Sequence, residues 1–347
     1  MKLLSKRIQG GAAATLSVLL AASALAAMAP AQALSSAGVG ARDPSRAGFP
    51  AYYTDDSNVP LQLCVDGTAR CGLATLRGDG AGGPGVGVAP DGEGFYWVAT
   101  SSLSTPGGLT LDIEFAAEAA WAGRRQPVTF DRLRIRGTSP TTGPITVTTP
   151  YGDFTVTAEG VGPRNVNFTE DIGCVFPCNF RDMTTVAGRH ITSWITANTP
   201  PPGYLGNAVT AQPANVAGAA ATFSTAAAGG DSTDRWVVMG KKAPRNRASL
   251  PNVVNFGNVK NTRTRSVAMV NLGTTTRTIR RVTLTGDRTI TKLASSTCRA
   301  GKVLAATGAA ARCSVVLKYR PGALRRSTAR LTIVDNVGTH HVRVKGS

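Results

Sequence analysis

The sequence predicts an all-β protein, with a disulfide-bearing N-terminal β-sandwich-like module followed by a seven-stranded immunoglobulin-like β-sandwich. Short runs of Val, Ile, Thr and Phe recur along the chain and are cut by Gly and Pro, which is typical of β-rich domains. Apolar patterns with helical spacing are few after the N-terminus. The 347 residues are enough for two or three domains.

The N-terminal segment has the features of a secretory signal peptide. Lys2, Lys6 and Arg7 precede an apolar stretch over residues 12–28, and Ala31-Gln32-Ala33 supplies a small-x-small cleavage pattern. We therefore predict that the first 33 residues are a signal peptide. A spanning anchor is the weaker alternative, because a proline and a polar Ser/Gly stretch follow the apolar run.

The mature chain is expected to be secreted, and either extracellular or non-covalently associated with the cell envelope. No later run approaches the roughly 18 apolar residues that a membrane-spanning helix needs, so we predict no transmembrane segment in it. Residues 34–48 are rich in Gly, Ser and Ala and are predicted to form a flexible leader.

The six cysteines form three near-sequence pairs in a chain bound for an oxidising compartment, which predicts three local disulfides. Six cysteines allow other connectivities, but each pair falls in a separate segment. A metal site is disfavoured because the chain has only three histidines and no C-x2-C spacing, so we predict neither metal nor cofactor. The predicted disulfides are Cys64–Cys71, Cys174–Cys178 and Cys298–Cys313.

Residues 49–240 are predicted to form the N-terminal β-rich module, with a sub-boundary near residue 165. Residues 109–115 alternate apolar and polar side chains, as a half-buried strand does. Residues 128–136 alternate only approximately, and a bulge near Asp131 would bring them into phase. One helix is predicted, over Arg181–Trp194, before a proline-rich stop. The basic residues of 241–251 suggest an exposed linker.

The aromatic residues of this module divide by the same alternation. Phe95 and Trp97 are expected to share the buried face of one strand. Tyr96 and Tyr204 are expected to be the more exposed aromatics, where a sugar ring would stack.

Residues 252–347 contain seven short strand patterns over about 95 residues, a count that fits an immunoglobulin-like sandwich. The predicted strands are Val253–Phe256, Arg265–Asn271, Thr278–Leu284, Thr289–Leu293, Cys313–Tyr319, Ser327–Val334 and His341–Val344.

The order of motifs in this region resembles the ASH / choice-of-anchor D module. The motifs are Asn255-Phe256-Gly257-Asn258-Val259, Val270-Asn271-Leu272-Gly273, Cys298, the run from Cys313 to Pro321 and the run from Ala329 to Asn336. That resemblance covers most of residues 252–347 and implies an immunoglobulin-like interaction or spacer module without catalytic residues. The Arg-rich composition departs from the family's usual pattern.

Residues 49–240 are similar, more weakly, to uncharacterised β-modules of secreted bacterial proteins. The similarity rests on short motifs and implies no activity. The motifs are Tyr52-Tyr53-Thr54-Asp55-Asp56, the run from Asn165 to Cys174 and Pro202-Gly203-Tyr204-Leu205-Gly206.

Enzymatic activity is disfavoured, and no catalytic residue is assigned. The chain has no G-x-S-x-G elbow and no H-E-x-x-H helix. Asp112 and Glu114 occupy alternate strand positions and therefore point to one solvated face, not across a cleft. His190 is the only histidine before residue 340 and is expected to be structural. The alternative is an extracellular hydrolase or carbohydrate-active protein with an unfamiliar site in the N-terminal module.

The charge of the chain is divided sharply. Residues 34–240 hold 13 Arg, no Lys and 18 Asp or Glu, a net charge of −5, whereas residues 241–347 hold 22 Lys or Arg against two Asp, a net charge of +20. Such a surplus exceeds what solubility requires and points to an anionic partner.

The expected function is therefore non-catalytic binding or scaffolding, in which the basic domain attaches to an anionic cell-envelope polymer or an acidic polysaccharide. Self-association, basic domain against acidic module, is the alternative partner. Specific nucleic-acid binding is not expected, because no recognised motif accompanies the charge. The predicted polyanion-binding residues are Arg263, Arg265, Arg277, Arg280, Arg281, Arg325, Arg326 and Arg330.

Overall fold

The computed structural model describes residues 38–65, 67–71, 93–122, 126–174, 177–185, 190–287, 291–320 and 327–346. Nearly all regular structure in these ranges is β, which confirms the predicted all-β class. The three predicted disulfides are confirmed as well. The predicted signal peptide, the first residues of the leader, Arg325 and Arg326 lie outside the described residues.

In the residues that the structure describes, the N-terminal part forms one hydrogen-bonded sheet of 14 strands, β1 to β14. Their bounds are β1 Tyr53–Thr54, β2 Pro60–Gln62, β3 Gly94–Ser104, β4 Thr110–Trp121, β5 Pro127–Thr138, β6 Gly143–Thr149, β7 Gly152–Ala158, β8 Val166–Gly173, β9 Thr196–Ala197, β10 Gln212–Val216, β11 Ala219–Ala220, β12 Phe223–Thr225, β13 Asp231–Thr233 and β14 Arg235–Lys242. The main path runs β1-β2-β14-β3-β4-β5-β8-β7-β6-β12-β13. The last strand, β13, contacts β3, so the sheet curls back upon itself.

The curled sheet encloses a large apolar core. In β4 the apolar residues Leu111, Ile113 and Phe115 face this core, as their alternation predicts. Trp97 and Trp236 are fully buried in the same core. Strand β4 continues to Trp121, so the segment from Ala116 is extended as well.

Strand β5 corrects the expected bulge near Asp131. Its register with β4 is continuous, and Asp131 is buried in phase with Leu133 and Ile135. Burial of this carboxylate is compatible with the fold because its Oδ2 accepts backbone N–H groups of His190 (3.1 Å) and Ile191 (3.4 Å). The alternation along β5 is therefore regular, and Asp131 is one of its buried residues.

The predicted helix over Arg181–Trp194 is wrong in extent. Helix α1 spans only Asp182–Thr185, and residues 190–194 are not helical. Side-chain carboxylates bind the backbone there: besides Asp131, Asp55 Oδ2 accepts the N–H of Trp194 at 2.9 Å. These long-range hydrogen bonds replace the local ones of a helix, and they are not visible in local sequence.

The described residues of the C-terminal part form two sheets that enclose a second core. Its strands are β15 Ala248–Ser249, β16 Val253–Asn255, β17 Arg263–Asn271, β18 Arg277–Gly286, β19 Thr291–Ser296, β20 Val303–Leu304, β21 Arg312–Tyr319, β22 Ser327–Asp335 and β23 Thr339–Gly346. One sheet has the order β15-β17-β21-β19, and the other has the order β16-β23-β22-β18-β20. All seven predicted strands are present, and β15 and β20 are additional.

The predicted domain boundaries differ from the structure in three places. Residues 38–48 are not a flexible leader: Gly40 pairs with Thr307, and Asp43 is buried. Residues 241–251 are not a free linker, because Lys241 and Lys242 complete β14 and residues 248–249 form β15. Residue 165 is no boundary, since the next residues enter β8 beside β5.

Candidate anion-binding face

Arg330 lies directly opposite Arg343 on the antiparallel strands β22 and β23. Their neighbours Leu331 and Val342 are fully buried, so alternation places both arginines on the outer face of the five-stranded sheet. Thr285 of β18 stands beside Arg330 in the next strand. Opposed side chains have Cβ atoms about 5 Å apart, so the two guanidinium groups are within reach of one anion.

A surface depression of about 540 Å³ surrounds this pair. Both arginines are exposed, and no described carboxylate lines the depression or forms an ion pair with either of them. Like charges placed directly opposite each other destabilise a sheet, so this arrangement is favourable only when an anion neutralises it. The described lining residues are Asn252, Thr285, Gly286, Thr328, Ala329, Arg330, His341 and Arg343.

Further cations extend the same face. Arg281 is opposite Val334, and Lys345 is opposite Thr328, in rows that share the outward parity of Arg330. Arg281 is exposed and Lys345 is half-buried. We call Arg281, Arg330, His341, Arg343 and Lys345 the basic face; it joins two predicted binding residues to three that were not predicted.

The other exposed candidates lie elsewhere. Arg263 and Arg265 belong to β17 in the other sheet, and the guanidinium of Arg265 lies 6.0 Å from the centroid of the Phe256 ring. Arg280 is exposed next to an irregularity in β18. The predicted set is therefore not one contiguous surface.

Arg277 was wrongly included in the predicted anion-binding residues. Its side chain is 2% exposed, and its Nη1 lies 2.5 Å from Asp335 Oδ2. Although burial opposes ionisation, N–H groups of Gly338 and Val337 and the Arg277 guanidinium together hold the pKa of Asp335 below its usual value. Arg277 therefore stabilises the turn between β22 and β23 and is not accessible to a polymer.

The N-terminal carboxylates form ion pairs. Arg134 Nη1 lies 3.1 Å from Glu114, and Arg132 joins Asp171 (2.7 Å) to Glu118 (3.1 Å). Burial is the largest effect on Glu118 and raises its pKa to about 8, against the attraction of Arg132. The burial of Glu118 could not be predicted from alternation, because the same strand face is exposed at Asp112 and covered at Glu118.

His190 is buried, with its Nε2 3.3 Å from Glu170 Oε2. Burial lowers the pKa of His190, although Glu170 and Asp171 act in the opposite direction. Its ring packs edge-on against Phe154. These contacts suit a neutral histidine with a structural role, packed against β7 and β8. Within the described ranges, no group of three His, Cys, Asp or Glu side chains is placed to hold a metal ion.

The expected exposed aromatics are both buried, which corrects that prediction. Tyr96 is fully buried and donates its hydroxyl to the carbonyl of Pro50 at 2.7 Å. Tyr204 is covered by Arg70, whose guanidinium lies 5.1 Å from the ring centroid. Strand β3 is covered on both faces, so Phe95 and Tyr96 are both interior. Its register with β4 shifts between Phe95 and Trp97, so these two are buried in different clusters and do not share one face, which corrects that prediction as well.

Comparisons with known proteins identify no family. No family model and no curated protein matches the chain, and the resemblance to the ASH module stays a prediction. A protein of unknown function from Porphyromonas gingivalis W83 is similar at 12% identity and a TM-score of 0.25, over 63% of this chain and 91% of that one. The secreted serine protease VesC from Vibrio cholerae has 11% identity and a TM-score of 0.25, over 73% of this chain and 68% of the protease. The Vibrio cholerae protease VesB has 12% identity and a TM-score of 0.24, over 73% of this chain and 95% of that protease.

No helix in the described ranges combines the length and the apolar character needed to cross a membrane.

Proposed function

We propose that this chain is a secreted, non-catalytic binding or scaffolding protein whose C-terminal module attaches to an anionic polymer. The observation that carries the proposal is the cross-strand pair Arg330 and Arg343, exposed in a depression without a described carboxylate. Secretion is supported by the signal-peptide pattern of the first 33 residues. Three disulfides are compatible with an oxidising compartment.

The geometry of the basic face favours a linear polymer. Rows of side chains are about 4.8 Å apart between strands and about 6.7 Å apart along one face of a strand. Arg330 and Arg343 therefore present donors to one phosphate or carboxylate. Lys345 stands in the next row on one side and Arg281 two rows away on the other side, for further anionic groups. Guanidinium groups bind such oxyanions through two parallel hydrogen bonds. Envelope polymers with phosphate groups and acidic polysaccharides both offer repeated anions.

Cosedimentation of the full mature chain with immobilised polyphosphate or polygalacturonate tests the proposal. The double variant R330E/R343E should weaken binding more than about tenfold, because two attractive contacts become repulsive. The matched control is R263E/R265E, which makes the same charge change on the other sheet. It should weaken binding less than about threefold, through the long-range field alone. Equal losses of affinity in both variants would show that the polymer responds to the net charge of the domain, and would contradict a specific role for the basic face.

A further inference from the structure

A second concave site has a volume of about 1240 Å³. It meets the depression around Arg330 and Arg343 at Asn252, which lines both, and its lining includes none of the residues of the basic face. Four segments frame it: residues 39–50, residues 177–181 beside the second disulfide, residues 249–252 and residues 308–312. Ala268 and Val270 of β17 also line it, from the sheet that does not carry Arg330 and Arg343.

The walls of this cleft are fastened to each other. Arg247 Nη2 lies 2.7 Å from Asp43 Oδ2, the Tyr52 hydroxyl donates to the carbonyl of Ala306 at 3.1 Å, and Gly40 pairs with Thr307. These contacts tie residues 39–52 to the C-terminal sheets. The cleft is therefore formed by packed structure before any ligand arrives, as most small-molecule sites are.

The charged residues that line the cleft within the described ranges are Arg42, Arg181 and Arg312, and no described carboxylate does so. They come from three of the four segments. The guanidinium of Arg42 lies 4.7 Å from the centroid of the Phe180 ring, which gives it a fixed support. The Arg181 side chain lies next to Gly308. Its Nη2 is 3.7 Å from the point where a Cβ atom on that glycine would stand, so Arg181 reaches the segment that carries Arg312.

The rest of the described lining is mainly apolar. Val39 and Val270 are buried beneath the cleft, whereas Leu250 and Ala268 are half-buried and open to it. A purely ionic polymer would cover this apolar wall without any gain, and a neutral apolar ligand would desolvate the arginines without pairing them. The combination fits a ligand that has both an apolar chain and an acidic group.

We propose that this cleft binds a long-chain amphiphile with a single anionic head, such as a fatty acid. The acyl chain lies along Leu250 and Ala268, and the head pairs with Arg42 and Arg312. Its arginines are not those of the basic face and its ligand class is different, so it stands or falls independently of the proposed function, although Asn252 lines both concave sites.

Calorimetric titration of the full mature chain with dodecanoate, below its micelle concentration, tests the proposal. Dodecanoate should bind with a Kd of about 1–10 μM, while dodecanol (same chain, no charge) and propionate (same charge, no chain) should bind at least about tenfold more weakly. R312Q and R42Q should each weaken dodecanoate binding about tenfold. L250N should weaken it severalfold through the chain.

The matched control is R330Q/R343Q, which removes two arginines from the basic face and should leave dodecanoate affinity within twofold of the parent. Equal affinity for dodecanol and dodecanoate would overturn the proposal, as would wild-type affinity in both R312Q and R42Q. An equal loss in R330Q/R343Q would also overturn it, because it would show a response to net charge only.

Discussion

Asp43 and Arg247 form an ion pair of 2.7 Å between a residue of the predicted leader and a residue of the predicted linker. The Asp43 carboxylate is fully buried, and it also accepts the N–H and the hydroxyl of Ser45. The predicted flexible leader and the predicted exposed linker are thus fixed to each other. This contact makes the N-terminal segment part of the wall of the cleft that we propose binds an amphiphile.

The first prediction is that D43A destabilises the whole protein by about 2–4 kcal/mol, because it leaves the partly buried Arg247 without its carboxylate. Urea unfolding of the mature chain measures this. D153N, which changes an exposed carboxylate on β7, is the control and should shift stability by less than about 0.5 kcal/mol. Similar small shifts in both variants would show that the leader is not anchored through Asp43.

A second prediction concerns the disulfide between Cys298 and Cys313, which closes the largest of the three loops, with a sequence separation of 15. Replacing both cysteines with alanine should cost about 3 kcal/mol in the chain-entropy account. The Cys64–Cys71 pair, with a separation of 7, is the comparison and should cost less. Peptide mapping without reductant provides the complementary check, and a cross-link between the two halves of the chain would contradict the pairing.

The third prediction is a pH dependence set by Glu118. Its pKa is raised to about 8 in the folded state, so the protonated form is favoured by folding. The free energy of unfolding should be greatest below about pH 4.5 and should fall as the pH rises towards 8, by about 1.4 kcal/mol for each pH unit at most. E118Q should remove this slope and be the more stable protein at pH 8. Arg132 keeps Asp171 as its partner in that variant.

E114Q serves as the control for that measurement, since Glu114 is half-exposed on the same strand and paired with Arg134. Urea unfolding of the three proteins between pH 4 and pH 9 separates the two sites. A pH slope that persists in E118Q and disappears in E114Q would assign the titration to Glu114 and contradict the prediction for Glu118.

The fourth prediction follows from the buried pair of Arg277 and Asp335. R277M should lower the free energy of unfolding by about 3 kcal/mol, because Asp335 is left in the interior without its cation. Its affinity for polyphosphate, measured below the unfolding transition, should match that of the parent within twofold. A stable R277M variant with weakened polymer binding would restore Arg277 to the binding surface.

The parts of the fold that the sequence predicted are those in which local pattern and burial agree. Regular alternation located β4, and Val/Ile/Thr runs located all seven predicted strands of the C-terminal part. The disulfides followed because each pair is close in sequence. Propensity failed at Arg181–Trp194, where Asp131 of β5 and Asp55, which follows β1, bind the backbone from distant parts of the chain.

The candidate sites were harder to predict, because strand pairing decides which charges meet. Arg330 was predicted from the density of arginine, but its partner Arg343 was identified only by the register of β22 and β23. Arg277 is indistinguishable from its neighbours in sequence until Asp335, 58 residues later, is placed beside it. The cleft could not be predicted, since its walls come from four segments across the chain.

The salt dependence of polymer binding tests the central claim most directly. Affinity of the mature chain for polyphosphate of defined length should be measured between about 50 and 200 mM salt, and its logarithm should fall linearly with the logarithm of salt concentration. R330Q/R343Q should reduce the magnitude of that slope by about two, one for each lost phosphate contact, whereas R263Q/R265Q should reduce it by less than about one. A slope unchanged in R330Q/R343Q, or binding insensitive to salt, would contradict attachment through the basic face.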